Sequence, residues 1–311
     1  PGVQNTLIGG QAGDALTDAD YNIAIGYQAL STDTLGSRSV AIGRNTLANQ
    51  NFTTATNAYN TAVGYGSGSA VTTSINNTFV GNESGSSVDT GANNTLIGSV
   101  AGDALTSGNN NTALGYLTLS ADTLGDRAVA IGLGALTAQN FTTTTDNYNT
   151  AVGYYAGGAI TTGIKNVAVG ALALDAADTG QENTAIGHQA LTADTKGQRN
   201  TAVGHLSLGT QNLTTATNSY NTGIGYNAGG AVTTGINNTL IGGLAGDALT
   251  DADDNLAVGY AALGSNLLGS RNTALGAYTL ETLNPATAAM MYNTAVGYNS
   301  GYAMTTGIEN T

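Results

Sequence analysis

Hydrophobic and polar positions along this chain recur on a fixed step. A glycine preceded by Ile, Val or Leu returns at positions 9, 26, 43, 64, 81, 98, 115, 132, 153, 170, 187, 204, 225, 242, 259, 276 and 297, and every interval is 17 or 21 residues. The aliphatic column so defined is Ile8, Ile25, Ile42, Val63, Val80, Ile97, Leu114, Ile131, Val152, Val169, Ile186, Val203, Ile224, Ile241, Val258, Leu275 and Val296. Two residues before the glycine stands Ala in twelve of the seventeen copies, three before stands Thr in twelve, and four before stands Asn in fifteen. Three after it is Ala, Ser or Thr, and four after it is Leu or Gly. The 21-residue steps follow Gly43, Gly132, Gly204 and Gly276, so most copies fall into a super-repeat of 72 residues, with one additional 17-residue coil near Gly81.

A short stretch rich in Val, Ile and Thr, then a glycine, then a turn-rich tail such as "TDTLGSR", reads as strand plus corner. Seventeen residues are too few for a helical repeat pair and suit one coil of a β-solenoid with two short strands and two turns. The expected fold is all-β: a parallel β-solenoid, or β-roll, of about seventeen coils, running through residues 1–311 as one array without separate domains. Like side chains would stack coil over coil at about 4.8 Å.

Successive strand residues point to opposite faces, so in "NTAVGY" the Thr, Val and Tyr share one face and the Asn, Ala and Gly the other. Neither face is written for water. One coil covers only one of them from its own chain, which predicts partner chains on the other, with a trimer as the expected assembly. Tyr65, Tyr154 and Tyr298 are bulky for so thin a roll, which favours Val and Tyr facing the partners. The Asn column is expected to satisfy turn backbone as a ladder of amides. The four-residue insertions produce "NFTTATNAY" (51–59), "NFTTTTDNY" (140–148), "NLTTATNSY" (212–220) and "NPATAAMMY" (284–292). They are expected as protruding loops whose contact candidates are Phe52, Thr53, Phe141, Thr142, Leu213, Thr214, Met290 and Met291. "GVQNT" (2–6) and "GIENT" (307–311) match in register, which suggests a slice of a longer array or subunits stacking head to tail.

Composition narrows the partners. With seven Lys and Arg against twenty Asp and Glu, the net charge of −13 leaves no basic stripe for nucleic acid. No apolar run approaches the ~20 residues of a membrane span. The absence of cysteine excludes disulfides and thiol chemistry but not an extracellular location.

The motifs "SVAIG" (39–43) and "AVAIG" (128–132) resemble the head repeats of YadA-type trimeric autotransporter adhesins. The longer "NIAIGYQAL" (22–30) and "NTAIGHQALTADTKGQRNTAVG" (183–204) are similar to the TAxGYxAL repeats of phage tail fibres and bacterial surface fibres. The resemblance covers nearly the whole chain. It implies a left-handed, trimeric β-roll outside the cell, on a cell surface or on a virion, acting as a stalk or head that presents receptor-binding surface. The coils of 17 and 21 residues are longer than those of the adhesin heads.

Catalytic chemistry is not expected. His188 and His205 lie 17 apart in a column usually held by Tyr, so they should stack. In a trimer they would become six imidazoles near an axis, a set able to hold a metal, although substitution within a Tyr column is the simpler reading. The periodic glycines lack the strand–GxGxxG–helix setting of a dinucleotide site. Carboxylates beside glycines in "GGQAGDALTDAD" (9–20) and in 242–254 keep calcium at a turn as a candidate by ligand type, but they do not recur on every coil. Asp33, Asp122 and Asp194 precede Arg38, Arg127 and Arg199 by five residues, a spacing for cross-turn ion pairs. Ice binding is disfavoured because Asn and Thr alternate faces. The reading is a non-enzymatic structural fibre segment. The alternatives are a self-assembling filament subunit and a carbohydrate-binding solenoid, for whose cleavage no carboxylate pair stands out.

Overall fold

The structure is a computed structural model and describes residues 2–311. The protein is all-β, a parallel β-solenoid of about seventeen turns, and no helix forms among the described residues. Two compact units divide it, Pro1–Thr150 and Ala151–Thr311.

Each unit is a ladder of three-residue strands in strict parallel register. In the first, Thr6–Ile8, Ile23–Ile25, Val40–Ile42, Thr61–Val63, Thr78–Val80, Thr95–Ile97, Thr112–Leu114 and Val129–Ile131 lie side by side. In the second the ladder runs Val167–Val169, Thr184–Ile186, Thr201–Val203, Thr222–Ile224, Thr239–Ile241, Leu256–Val258, Thr273–Leu275 and Thr294–Val296. The register places each sequence column over itself: Ala185 opposes Ala202, and Ile186 opposes Val203.

The expectation of two strands per coil is corrected. Each coil carries one three-residue strand, and a second, two-residue strand forms only beside the insertions, as in Gly125–Asp126 with Thr145–Asp146. The reason is the backbone opposite the ladder. Residues two and four after the column glycine have positive φ, so that side is a string of turns instead of an extended segment. It still bonds from coil to coil, for example Gln28 N–H to the Gly10 carbonyl at 3.0 Å and Leu30 N–H to the Thr46 carbonyl at 3.0 Å.

The interior is narrow, and its columns compensate for one another. Four residues after the glycine, φ lies between 48° and 63° whether the residue is Leu or Gly. A leucine in this left-handed region costs about 1–2 kcal/mol. Each of these leucines (Leu30, Leu119 and Leu191 among them) is fully buried. Burial worth about 1.5–3 kcal/mol offsets the backbone cost. Where the position is Gly, an aliphatic residue three further on fills the space, as Val71, Val88, Leu105, Ile160, Val232 and Leu249 do. A Cβ on Gly246 would lie 2.7 Å from Leu249 and 2.8 Å from Leu240. Where Gly stands, the space is taken by two other side chains of the same coil, as Leu240 and Leu249 do around Gly246.

The Asn column lies inside, on the edge of this core. Asn183 Nδ2 donates to the Gly197 carbonyl at 2.9 Å, and its Oδ1 accepts the Asn200 N–H at 2.9 Å. The same pair of bonds repeats at Asn22, Asn94 and Asn238, all essentially without exposure. The amides therefore satisfy corner backbone that would otherwise be buried without partners. Where Ala128 interrupts the column, Asn147 replaces it. Its Oδ1 accepts the Asn149 N–H at 2.9 Å, and its Nδ2 donates to the Asp126 carbonyl at 2.7 Å.

Candidate interaction face

The face of each ladder that its own chain does not cover carries Thr, then an aliphatic residue, then the residue after the glycine. The aliphatic column from Ile8 to Val296 is therefore not the interior of the single chain, and none of its seventeen members is buried. The interior column is the one two residues before the glycine, from Ala24 and Ala41 through Phe79 and Leu96 to Ala274, with no exposure at these positions. Sterics decide this. At the column glycine φ lies between 115° and 141°, and the coils approach too closely there for anything but a small neighbour. A Cβ on Gly187 would stand 2.5 Å from the Gly204 carbonyl oxygen. The tyrosines follow outward: Tyr65 is 46% exposed, Tyr154 53% and Tyr298 73%.

No charged residue occupies the Thr or aliphatic columns in any of the seventeen coils, and Arg44 is the one formal charge in the column after the glycine. Arg44 is packed between the rings of Tyr27 and Tyr65, at 6.0 and 5.7 Å from their centroids. The acidic residues that make the chain strongly negative lie at the corners instead.

The insertions are pinned coils. Asp33 Oδ1 accepts the N–H groups of Gly36 and Phe52 at 3.0 and 3.1 Å, while Oδ2 accepts from Gln50 Nε2 at 2.6 Å. Asp122 with Gly125, Phe141 and Gln139, and Asp194 with Gly197, Leu213 and Gln211, repeat the arrangement. These carboxylates are buried, so the expected ion pairs with Arg38, Arg127 and Arg199 do not form. Burial raises the carboxyl pKa of Asp122 and of Asp194 above the ordinary range, and the hydrogen bonds from Gln139, Gln211 and backbone only partly oppose it.

The arginines reach the surface ladder instead. Arg38 Nε donates to Asn57 Oδ1 at 3.0 Å, Arg127 pairs with Asp146, Arg199 Nε meets Glu182 at 2.8 Å and Arg271 Nε meets Asp254 at 3.5 Å. Each guanidinium also lies over the tyrosine 21 residues on, from Tyr59 to Tyr292, at 5.5–5.9 Å from the ring centroid.

Of the contact candidates, Phe52, Phe141 and Leu213 are buried beside the buried acids as apolar plugs, and Met291 is buried at another position of the fourth insertion, which has Asn266 in place of the acid. Thr53, Thr142, Thr214 and Met290 are exposed. His188 and His205 do stack, their ring centroids 5.2 Å apart and planes 7° from parallel. No group of three or more His, Cys, Asp or Glu side chains comes together to hold a metal among the described residues, and the acidic turn at 9–20 makes no such cluster.

Comparison with protein-family models, with curated proteins and with solved structures finds no match to this chain.

Proposed function

We propose that this chain is a non-enzymatic structural fibre segment, of the tail-fibre or surface-adhesin kind, that works outside the cell, on a cell surface or a virion, as a parallel trimer. The observation that carries the reading is the uncovered Thr–aliphatic face: an in-register apolar ladder without a formal charge, in a chain with seven basic and twenty acidic residues. Monomeric proteins rarely leave so extended an apolar strip open to water. Three identical faces turned towards a common axis cover one another and close the assembly, whereas a single chain cannot cover the strip. Val and Tyr then form the contact between copies, and the exposed Thr53, Thr142, Thr214 and Met290 stand outward for attachment to a receptor or glycan.

Light scattering during size-exclusion chromatography tests this. The expected mass is about three times the 30.9 kDa of one chain. Ile186→Glu, on the outer face, should lower that mass while the β-sheet circular dichroism persists. A stable wild-type monomer at micromolar concentration would remove the proposal.

A further inference from the structure

The chain has only two histidines, and the fold brings them together. His188 and His205 each follow a column glycine in adjacent coils, two residues beyond strands paired in register. Their rings are nearly parallel at 5.2 Å, and Tyr226 continues the stack at 5.6 Å, 5° from parallel. Both side chains are exposed, and the ring nitrogens make no hydrogen bond to the chain among the described residues. Here two imidazoles are held side by side by the solenoid, with their ring nitrogens open to solvent.

We infer that His188 and His205 form a two-imidazole chelate for a divalent transition-metal ion of the Cu²⁺, Ni²⁺ or Zn²⁺ class. Imidazole is the ligand these ions share, and the ordering of their affinities favours Cu²⁺. Two nitrogens bound in cis to one ion at about 2.0–2.1 Å lie roughly 3 Å apart, and each lone pair lies in its ring plane, so both rings must turn out of the parallel stack towards each other. The broad χ2 torsion of histidine permits that shift. Ala171, one coil before the pair in the same column, leaves room beside His188. No third ligand comes from the described chain, so water completes the coordination in a single chain, and imidazoles of the neighbouring copies would add to it in the proposed trimer. Both ligands come from one chain, and in the proposed trimer, whose copies meet through this same column, three such pairs would lie near one another.

The column itself supplies the control. Tyr fills it at Tyr27, Tyr65, Tyr116, Tyr154 and Tyr260, so His188→Tyr and His205→Tyr keep a side chain that the fold already accepts. Titration of the full chain with Cu²⁺, followed by calorimetry and electron paramagnetic resonance, should show a tight site with hyperfine coupling from at least two imidazole nitrogens. Either single substitution should weaken that site by at least about tenfold, and the double substitution should abolish it with circular dichroism unchanged. Scattered carboxylates would give weaker binding that all variants share. Equal Cu²⁺ affinity in wild type and double variant, or no site at micromolar metal, would overturn the inference.

Discussion

Replacing Gly225 by alanine would put a Cβ 2.6 Å from the Gly242 carbonyl oxygen, on a backbone with φ of +135°. Strain and overpacking together should destabilise the protein by about 2–5 kcal/mol, read as a lower denaturant midpoint. The buried acids make a second residue-level case, because the chain contains its own comparison. Three insertions carry Asp with Gln seventeen residues later and a residue with an N–H two beyond that, as in Asp33, Gln50 and Phe52. The fourth has Asn266, Leu283 and Pro285; proline has no N–H to donate, and the charged acceptor is gone. Gln50→Leu alone should therefore cost about 2–3 kcal/mol by removing the donor to Asp33 Oδ2. Asp33→Asn combined with Gln50→Leu should recover most of it in a double-mutant cycle. The pH dependence follows from Asp122 and Asp194, whose carboxyls burial raises. The folded state then holds protons more tightly than the unfolded one. Stability from these groups is greatest below the ordinary carboxylate range and is lost as pH rises through the raised folded values. Melting temperature should rise as pH is lowered from 7 towards 4, and Asp122→Asn with Asp194→Asn should flatten that rise.

At the scale of the element, an insertion is a coil with an anchor and a tip. Phe141→Ala empties an anchored site and should cost about 3–5 kcal/mol, whereas Thr142→Ala at the exposed tip should lie within about 0.5 kcal/mol of wild type by thermal melting. Sequence columns made the coil period, the parallel stacking and the outward Val–Tyr face legible, because a step of 17 residues leaves one register in which like lies over like. They misassigned Phe52, Phe141, Leu213 and Met291 as contacts, because apolar residues in an inserted loop look the same whether they plug a core or face a partner. The buried role of Asp33 was hidden for a related reason. Its neighbour in sequence, Arg38, is a better partner by charge than Gln50, and only the stacking of coils shows that Gln50 lies over it. One signal was available: Asp and Gln change together with the proline in the fourth insertion. The aliphatic residue, or Met304 in the last coil, that accompanies each Gly four positions after the column glycine was a second.

For the whole molecule, the charge of −13 and the uncharged ladder act in opposite directions. In the proposed trimer, copies would repel through their acidic corners and attract through the Thr–aliphatic face. Added salt should therefore strengthen association by screening the repulsion, opposite to an interface built on ion pairs. The claim on which the account depends is that identical chains cover this face. The chain has no cysteine, so single thiols report on it cleanly. Ile186→Cys and Thr214→Cys, each in the otherwise unchanged chain, should be labelled with a thiol reagent under native conditions. The account predicts that the thiol at 186 reacts on the order of a hundredfold more slowly than the one at 214, in step with burial between copies; equal rates at the two positions would contradict it.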